Sequence, residues 1–228
     1  MVERKGKNFM CSIPYFLVPM LLFVFATVGC KVSEKSAEVV PSSSTTTEDE
    51  ASTTAAKQLS VLMIIAPEGF RDEEYKVPKE VFESAGVKVV TASTKVGECS
   101  GMFGSKANAD ILLSLVSVKD YDGIIFVGGV GAKVYFESSV AQNIAKEAIK
   151  ENKILAAICI APVILANAGV LRDKNATVFP SEKEVLINAG AHYTGKDVEV
   201  DGNIITASGP QAAEKFANAI KSSLLSKK

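Results

Sequence analysis

Residues 60–66 (Ser-Val-Leu-Met-Ile-Ile-Ala) form a nearly unbroken apolar run that stops at Pro67-Glu68-Gly69. A strand buried on both faces reads this way, because neither side meets water. Residues 87–92, 123–127 and 153–158 repeat the pattern, and the last two end at Gly128-Gly129 and at Cys159. Between them lie stretches of helical period. Residues 73–85 stop at Gly86, and residues 138–152 open with Ser138 or Ser139 as the capping hydroxyl. Residues 162–168 stop at Gly169, residues 181–188 begin at Ser181, and residues 210–225 close the chain. Residues 94–110 hold Gly97, Gly101 and Gly104 and read as turns or a short hairpin. Residues 176–179 read as a short strand, and residues 198–200 and 203–207 flank Asp201-Gly202 as a hairpin.

Strands alternating with helices predict an α/β fold with a doubly wound, mainly parallel sheet sandwiched by helices. Sites in such sheets lie at the carboxyl ends of the strands. Cys159, Gly128-Gly129 and the segment after Ala66 all fall on that edge. Cys159 stands where an apolar strand meets small residues and Pro162, the strand–turn–helix pattern of a nucleophile elbow. A helix N-terminus beneath the sulfur is expected to favour the thiolate. The competing reading is a buried cysteine packed as a small hydrophobe.

The N-terminal 57 residues have a different character. Arg4, Lys5 and Lys7 precede an apolar run over residues 9–28, which ends at Thr27-Val28-Gly29-Cys30. This resembles the signal peptide and lipobox of a bacterial lipoprotein, with Cys30 as the lipidated residue, although Thr27 stands where leucine is usual. A plain secretory signal and an uncleaved single-pass anchor are the alternatives. All three place the remainder across a membrane, at the cell envelope facing the periplasm or exterior, or secreted. Residues 31–57, rich in Ser and Thr, read as a flexible linker. Residues 58–228 then form one domain.

Composition narrows the chemistry. The formal net charge is −1, and no basic block lies outside the N-terminal segment, so nucleic-acid binding has no electrostatic support. Cys99, Cys159 and the single histidine, His192, show no zinc-ligand spacing, and neither a P-loop nor a dinucleotide fingerprint is present. No metal and no cofactor is expected.

Several motifs in order resemble the DJ-1/PfpI superfamily, with its class I glutamine-amidotransferase-like sandwich, over residues 60–225. They are Pro67-Glu68-Gly69-Phe70-Arg71-Asp72-Glu73-Glu74 before Val77-Pro78, Val127-Gly128-Gly129, Ala157-Ile158-Cys159-Ile160-Ala161-Pro162, His192-Tyr193-Thr194 and Ile205-Thr206-Ala207-Ser208-Gly209-Pro210. The resemblance implies that Cys159 is the reactive elbow cysteine. It implies that Glu74 is the carboxyl that hydrogen-bonds the sulfur, with Glu73 the alternative in that register. The backbone N–H groups of Gly128, Gly129 and Ile160 are the implied oxyanion donors. It also implies a homodimer, with Cys99 near the contact; Cys99 reads as an isolated buried or surface thiol, pairing with Cys159 in an oxidising compartment being the alternative.

Two departures stand out. Hydrolases of the superfamily carry histidine directly after the cysteine, where this chain has Ile160; DJ-1 and its glyoxalase-active relatives carry one before a proline, where this chain has Phe179-Pro180. His192 matches neither position and reads as structural. The resemblance therefore implies oxidative or carbonyl-stress chemistry at Cys159: oxidation sensing by peroxide, or a weak glyoxalase- or deglycase-type reaction on a small reactive carbonyl. An enzyme of this kind would be a cysteine-dependent lyase or hydrolase. The alternatives are a surface-anchored binding module without catalysis and a cysteine hydrolase or peptidase lacking its usual histidine.

Overall fold

The computed structural model describes residues 58–227; the predicted signal, Cys30 and the linker lie outside the described residues. In chain order the elements are β1 (Ser60–Ile64), β2 (Glu68–Phe70), α1 (Asp72–Ser84), β3 (Lys88–Ser93), β4 (Gly97–Gly101), β5 (Lys106–Ala109) and β6 (Ile111–Leu112). There follow β7 (Gly123–Phe126), α2 (Ser139–Lys150), β8 (Ile154–Ile158), α3 (Pro162–Asn167), β9 (Asn175–Ala176) and α4 (Lys183–Asn188). Last come β10 (His192–Tyr193), β11 (Val198–Asp201), β12 (Ile204–Ala207) and α5 (Ala213–Ser226).

Seven strands form the central sheet in the order β11-β12-β8-β7-β1-β3-β6. Only the β11–β12 pair is antiparallel, so the fold is the doubly wound, mainly parallel α/β sandwich that the apolar runs predict. Successive side chains of β1, β7 and β8 point to opposite faces and fill two cores. Leu62, Ile64, Ile124 and Phe126 pack with Ile144, Ile164 and Leu165 from α2 and α3. Val61, Met63, Ile125 and Ile154 pack with Phe82, Phe216 and Ile220 from α1 and α5. Every residue of β7 and β8 is buried, which is why those runs carry no polar alternation.

The caps largely follow the sequence. Ser138 Oγ accepts the Ala141 N–H at 3.3 Å and starts α2, and Pro162 opens α3 where its missing N–H costs nothing. Ser181 does not cap α4. A 3₁₀ turn over Pro180–Glu182 precedes that helix, and the Ser181 hydroxyl donates instead to Glu182 at 2.9 Å.

The strand expected over residues 176–179 shrinks to β9, which pairs only with β10, outside the central sheet. The reason lies in its donors. The Thr177 N–H goes to the Thr206 hydroxyl at 2.9 Å and the Phe179 N–H to the Cys159 carbonyl at 2.8 Å, so neither enters a ladder. Residues 94–110 do contain a hairpin, β4–β5, which β2 extends to a small three-stranded sheet. The residues that directly follow β2 and β4, Arg71 and Met102, line the cavity that opens at Cys159.

Candidate active site

The elbow comes from a conflict between strand and turn. β8 is hydrogen-bonded on both sides, to β7 and β12, and the last ladder-like bond runs from the Cys159 N–H to the Ala207 carbonyl at 2.9 Å. The chain must then turn at once into α3. Cys159 accommodates the turn with φ at 62°, a left-handed conformation that non-glycine residues rarely adopt. Holding it there costs roughly 1–2 kcal/mol, which the surrounding hydrogen bonds offset. The Phe179 N–H clamps the Cys159 carbonyl, and the Ala161 N–H returns to Ile158 at 3.1 Å.

Glu74 reaches the sulfur from the first turn of α1. Asp72, Glu73 and Glu74 are consecutive acids, and the helical rotation of about 100° per residue sends each to a different neighbour. Asp72 accepts the backbone N–H groups of Phe103 and Ser105, both at 2.9 Å. Glu73 turns outward and pairs with Arg71 at 2.7 Å, so the register with Glu73 at the sulfur is excluded. Glu74 is fully buried. The groups facing its carboxyl are the Cys159 thiol and the Gly128 N–H, and neither oxygen reaches them at close hydrogen-bond geometry. Catalytic contacts are commonly this loose before a ligand tightens them.

The glycines make that approach feasible. A Cβ on Gly128 would lie 2.5 Å from Glu74 Oε2 and 2.6 Å from Cys159 Cβ, so only glycine fits between the two side chains. Gly129, at φ 94°, turns its N–H toward the sulfur, as does Ile160. Gly128 serves differently from the expectation: its N–H faces Glu74, while its carbonyl accepts the Arg71 N–H at 3.0 Å.

Burial dominates the electrostatics. It pushes the Glu74 carboxyl up to about 7, against the pull of the thiol, the Arg71 charge and the Gly128 N–H. It pushes the Cys159 thiol up to about 12, with the Glu74 charge adding to the rise and the Gly129 and Ile160 N–H groups opposing it. The expected helix-assisted depression of the thiol is thus overturned, because desolvation outweighs the N–H groups. The carboxyl and thiol form a coupled pair that titrates jointly.

Cys159, only 8% exposed, opens onto a cavity of about 270 Å³. Arg71, Met102, Val130, Ile160, Phe179 and Pro210 are among its walls, and no histidine is. Sequence reasoning gave no role to Arg71, Met102 and Val130: Arg71 lies within the motif that leads to Glu74, while Met102 and Val130 carry no motif of their own. His192 is exposed in β10, away from the cavity, and Cys99 is a free, buried thiol in β4 whose nearest polar partner is the Gly97 carbonyl at 3.7 Å. Among the described residues, no group of three or more His, Cys, Asp or Glu is arranged to hold a metal ion.

The sequence profile of the DJ-1/PfpI family matches residues 59–223. The chain belongs to the DJ-1/PfpI family. It is 46% identical over 163 residues to an uncharacterised protein of Methanocaldococcus jannaschii, covering 70% of this chain and 80% of that protein. It is 33% identical over 149 residues to a deglycase of Pyrococcus abyssi, covering 65% and 90% of the two chains. The crystal structure of a ThiJ/PfpI domain protein from Brachyspira murdochii superposes with a TM-score of 0.73 at 36% identity, covering 75% of this chain and 99% of that one. Against that family frame, Ile160 and Phe179 occupy the two positions at which the sequence resemblance placed a histidine, and both line the cavity.

Proposed function

We propose that the protein disposes of small reactive carbonyl compounds at Cys159, in a deglycase- or glyoxalase-type reaction that belongs to carbonyl or oxidative stress. One observation carries this reading: the fully buried Glu74 carboxyl holds a proton up to about pH 7 beside the thiol. The raised thiol keeps its proton in the resting site, and the reactive form is the minor one in which Glu74 holds the shared proton and the negative charge sits on sulfur, facing the Gly129 and Ile160 N–H groups. The thiolate attacks the aldehyde carbon, an S–C bond forms, and the carbonyl electron pair moves to oxygen, which takes the Glu74 proton. For a 2-oxoaldehyde, the Glu74 carboxylate then accepts the C1 proton and returns it to C2, giving a thioester. Water releases this as the 2-hydroxy acid. The deglycase name of the Pyrococcus abyssi relative supports the same substrate class.

The test is 2-hydroxy acid formation from methylglyoxal. Cys159→Ala abolishes it, and Glu74→Gln lowers the rate at pH 7.5 by at least about a hundredfold. Turnover equal in wild type and Cys159→Ala would overturn the reading.

A second reading rests on the N–H groups of Gly129 and Ile160 that face the sulfur. They would stabilise the oxygens of a sulfinate formed in two steps: the thiolate attacks one peroxide, whose O–O bond breaks with loss of hydroxide to leave a sulfenic acid, and the sulfenate sulfur attacks a second peroxide in the same way. A gain of two oxygens on Cys159 under mild peroxide tests it. For the rest of the chain, the run ending at Cys30 supports a lipid-anchored domain at the envelope, tested by metabolic labelling with a fatty acid. The family resemblance supports a homodimer, tested by light scattering.

A further inference from the structure

The walls of the cavity carry information about the substrate beyond its electrophile. Met102, Val130, Ile160, Phe179 and Pro210 surround the sulfur with hydrocarbon. The apolar surface continues outside: Val130 is 60% exposed and Phe103, beside Met102, is 65% exposed, with Val134 open to solvent a turn further on. Scattered exposed hydrophobes need no explanation, but a collar of them around a reactive thiol does.

The charged groups at the rim are largely engaged with one another. Arg71 pairs with Glu73 at 2.7 Å and lies over the Phe103 ring at 4.5 Å, so its guanidinium is committed on two sides. Lys133, Ser181 and Glu182 also line the cavity, with the Ser181 hydroxyl donating to Glu182 at 2.9 Å and Lys133 on an exposed residue. Asp72 fixes residues 101–105 through the Phe103 and Ser105 N–H groups, so the Met102 wall is held in place. Beside these polar groups, the larger part of the surface that faces a ligand is apolar and ends at the sulfur.

We infer that the site selects reactive carbonyl compounds carrying a hydrocarbon tail, with the tail against Met102, Val130 and Phe179. Short- to medium-chain 2-alkenals are the class that fits. The inference rests on the nucleophilic role proposed for Cys159. In the addition the S–C bond forms at the β-carbon, and the C=C electron pair moves to the α-carbon, which takes the Glu74 proton. The aldehyde is retained and nothing is oxidised or reduced. At about 270 Å³ the cavity falls just short of the usual drug-sized range, which suits a tail of a few methylenes.

The experiment measures labelling of the Cys159 peptide in the full chain by mass spectrometry. The probes are acrolein, trans-2-pentenal and trans-2-heptenal, each rate being divided by that of N-acetylcysteine with the same aldehyde. The normalised rate is expected to rise about two- to fourfold per added methylene, the ratio that corresponds to burying up to about 0.8 kcal/mol of CH₂. Val130→Asp and Phe179→Ser, both at partly exposed positions that leave the core intact, bring the heptenal value down toward that of acrolein. Val200→Asp, exposed on β11 and remote from the cavity, leaves the series as it was. A normalised series that stays flat or falls with chain length, while acrolein still labels Cys159, overturns the tail selectivity alone. Absence of labelling by all three aldehydes overturns the nucleophilic role beneath it as well.

Discussion

Glu74 and Cys159 meet across a residue with no side chain. The carboxyl oxygen Oε2 and the cysteine Cβ would lie 2.5 Å and 2.6 Å from a Cβ on Gly128, and the Ile158 carbonyl would lie 2.7 Å from it. Two of these neighbours are fixed by β8 and the elbow, so Glu74 is the group that must yield. Gly128→Ala is therefore expected to drive the carboxyl away from the sulfur. The cost is about 1–3 kcal/mol of stability, the usual penalty for overpacking. Thiol alkylation of Cys159 and the urea midpoint check both parts. An alanine variant with native midpoint and native alkylation rate across pH 6–8 would show that the contact does not govern reactivity.

The raised carboxyl also has a thermodynamic consequence. Glu74 rises from 4.5 to about 7 on folding, so between those values the folded protein holds a proton that the unfolded chain has released. Stability must then fall as pH rises through that window, by up to about 3 kcal/mol in total, and level off above it. The thiol adds a second decline between 9 and 12. Asp72, Glu73, Glu199 and Asp201 are held low and act with the opposite sign, losing stability as pH falls through their folded values, below the Glu74 window. Urea midpoints from pH 5 to 8 should decline for wild type. Glu74→Gln should show a markedly shallower decline, and equal slopes for the two would count against a protonated Glu74.

These consequences were only partly legible in the chain. β1, β7 and β8 announce themselves because burial on both faces leaves no polar alternation, and the elbow shows because such a run breaks at Cys159 just before Pro162. The three acids at the start of α1 are indistinguishable as letters. Only the helix phase, set by how α1 sits against the sheet, makes Asp72 a loop anchor, Glu73 a surface partner of Arg71 and Glu74 the companion of the thiol. β2 and β9 were missed or overextended because three- and two-residue strands owe their existence to their partners rather than to local propensity. The expected thiolate stabilisation failed for a related reason. The N–H groups at the elbow follow from local sequence, but the depth of burial that outweighs them belongs to the assembled fold.

Asp72 offers a separate test of how the cavity wall is held. Its two oxygens accept the N–H groups of Phe103 and Ser105, and a Cβ on Gly101 would collide with the same carboxylate. Asp72→Ala strands both donors and should cost about 2–3 kcal/mol. Hydrogen exchange at Phe103 and Ser105 should accelerate more than in β7 or β8, because the loop opens locally before the core does. Uniform acceleration across the domain would instead mean that Asp72 contributes only to global stability.

Phe179 marks the place where reactivity can be raised. Its N–H is clamped to the Cys159 carbonyl at 2.8 Å, its ring lines the cavity, and the side chain is partly open to solvent. Phe179→His puts an imidazole on that wall without disturbing the core, adding a proton carrier with an ordinary pKa near 6.5 beside one near 7. General acid–base assistance of this kind is worth about 10²-fold at the low end, and a single wall position not evolved for it should give about tenfold. Methylglyoxal turnover at pH 7.5 should rise by that factor, and the rate should acquire a new inflection near 6.5 that Glu74→Gln does not remove. A variant that folds, labels Cys159 normally and gains neither rate nor inflection would show that proton transfer is not what limits the wild-type reaction.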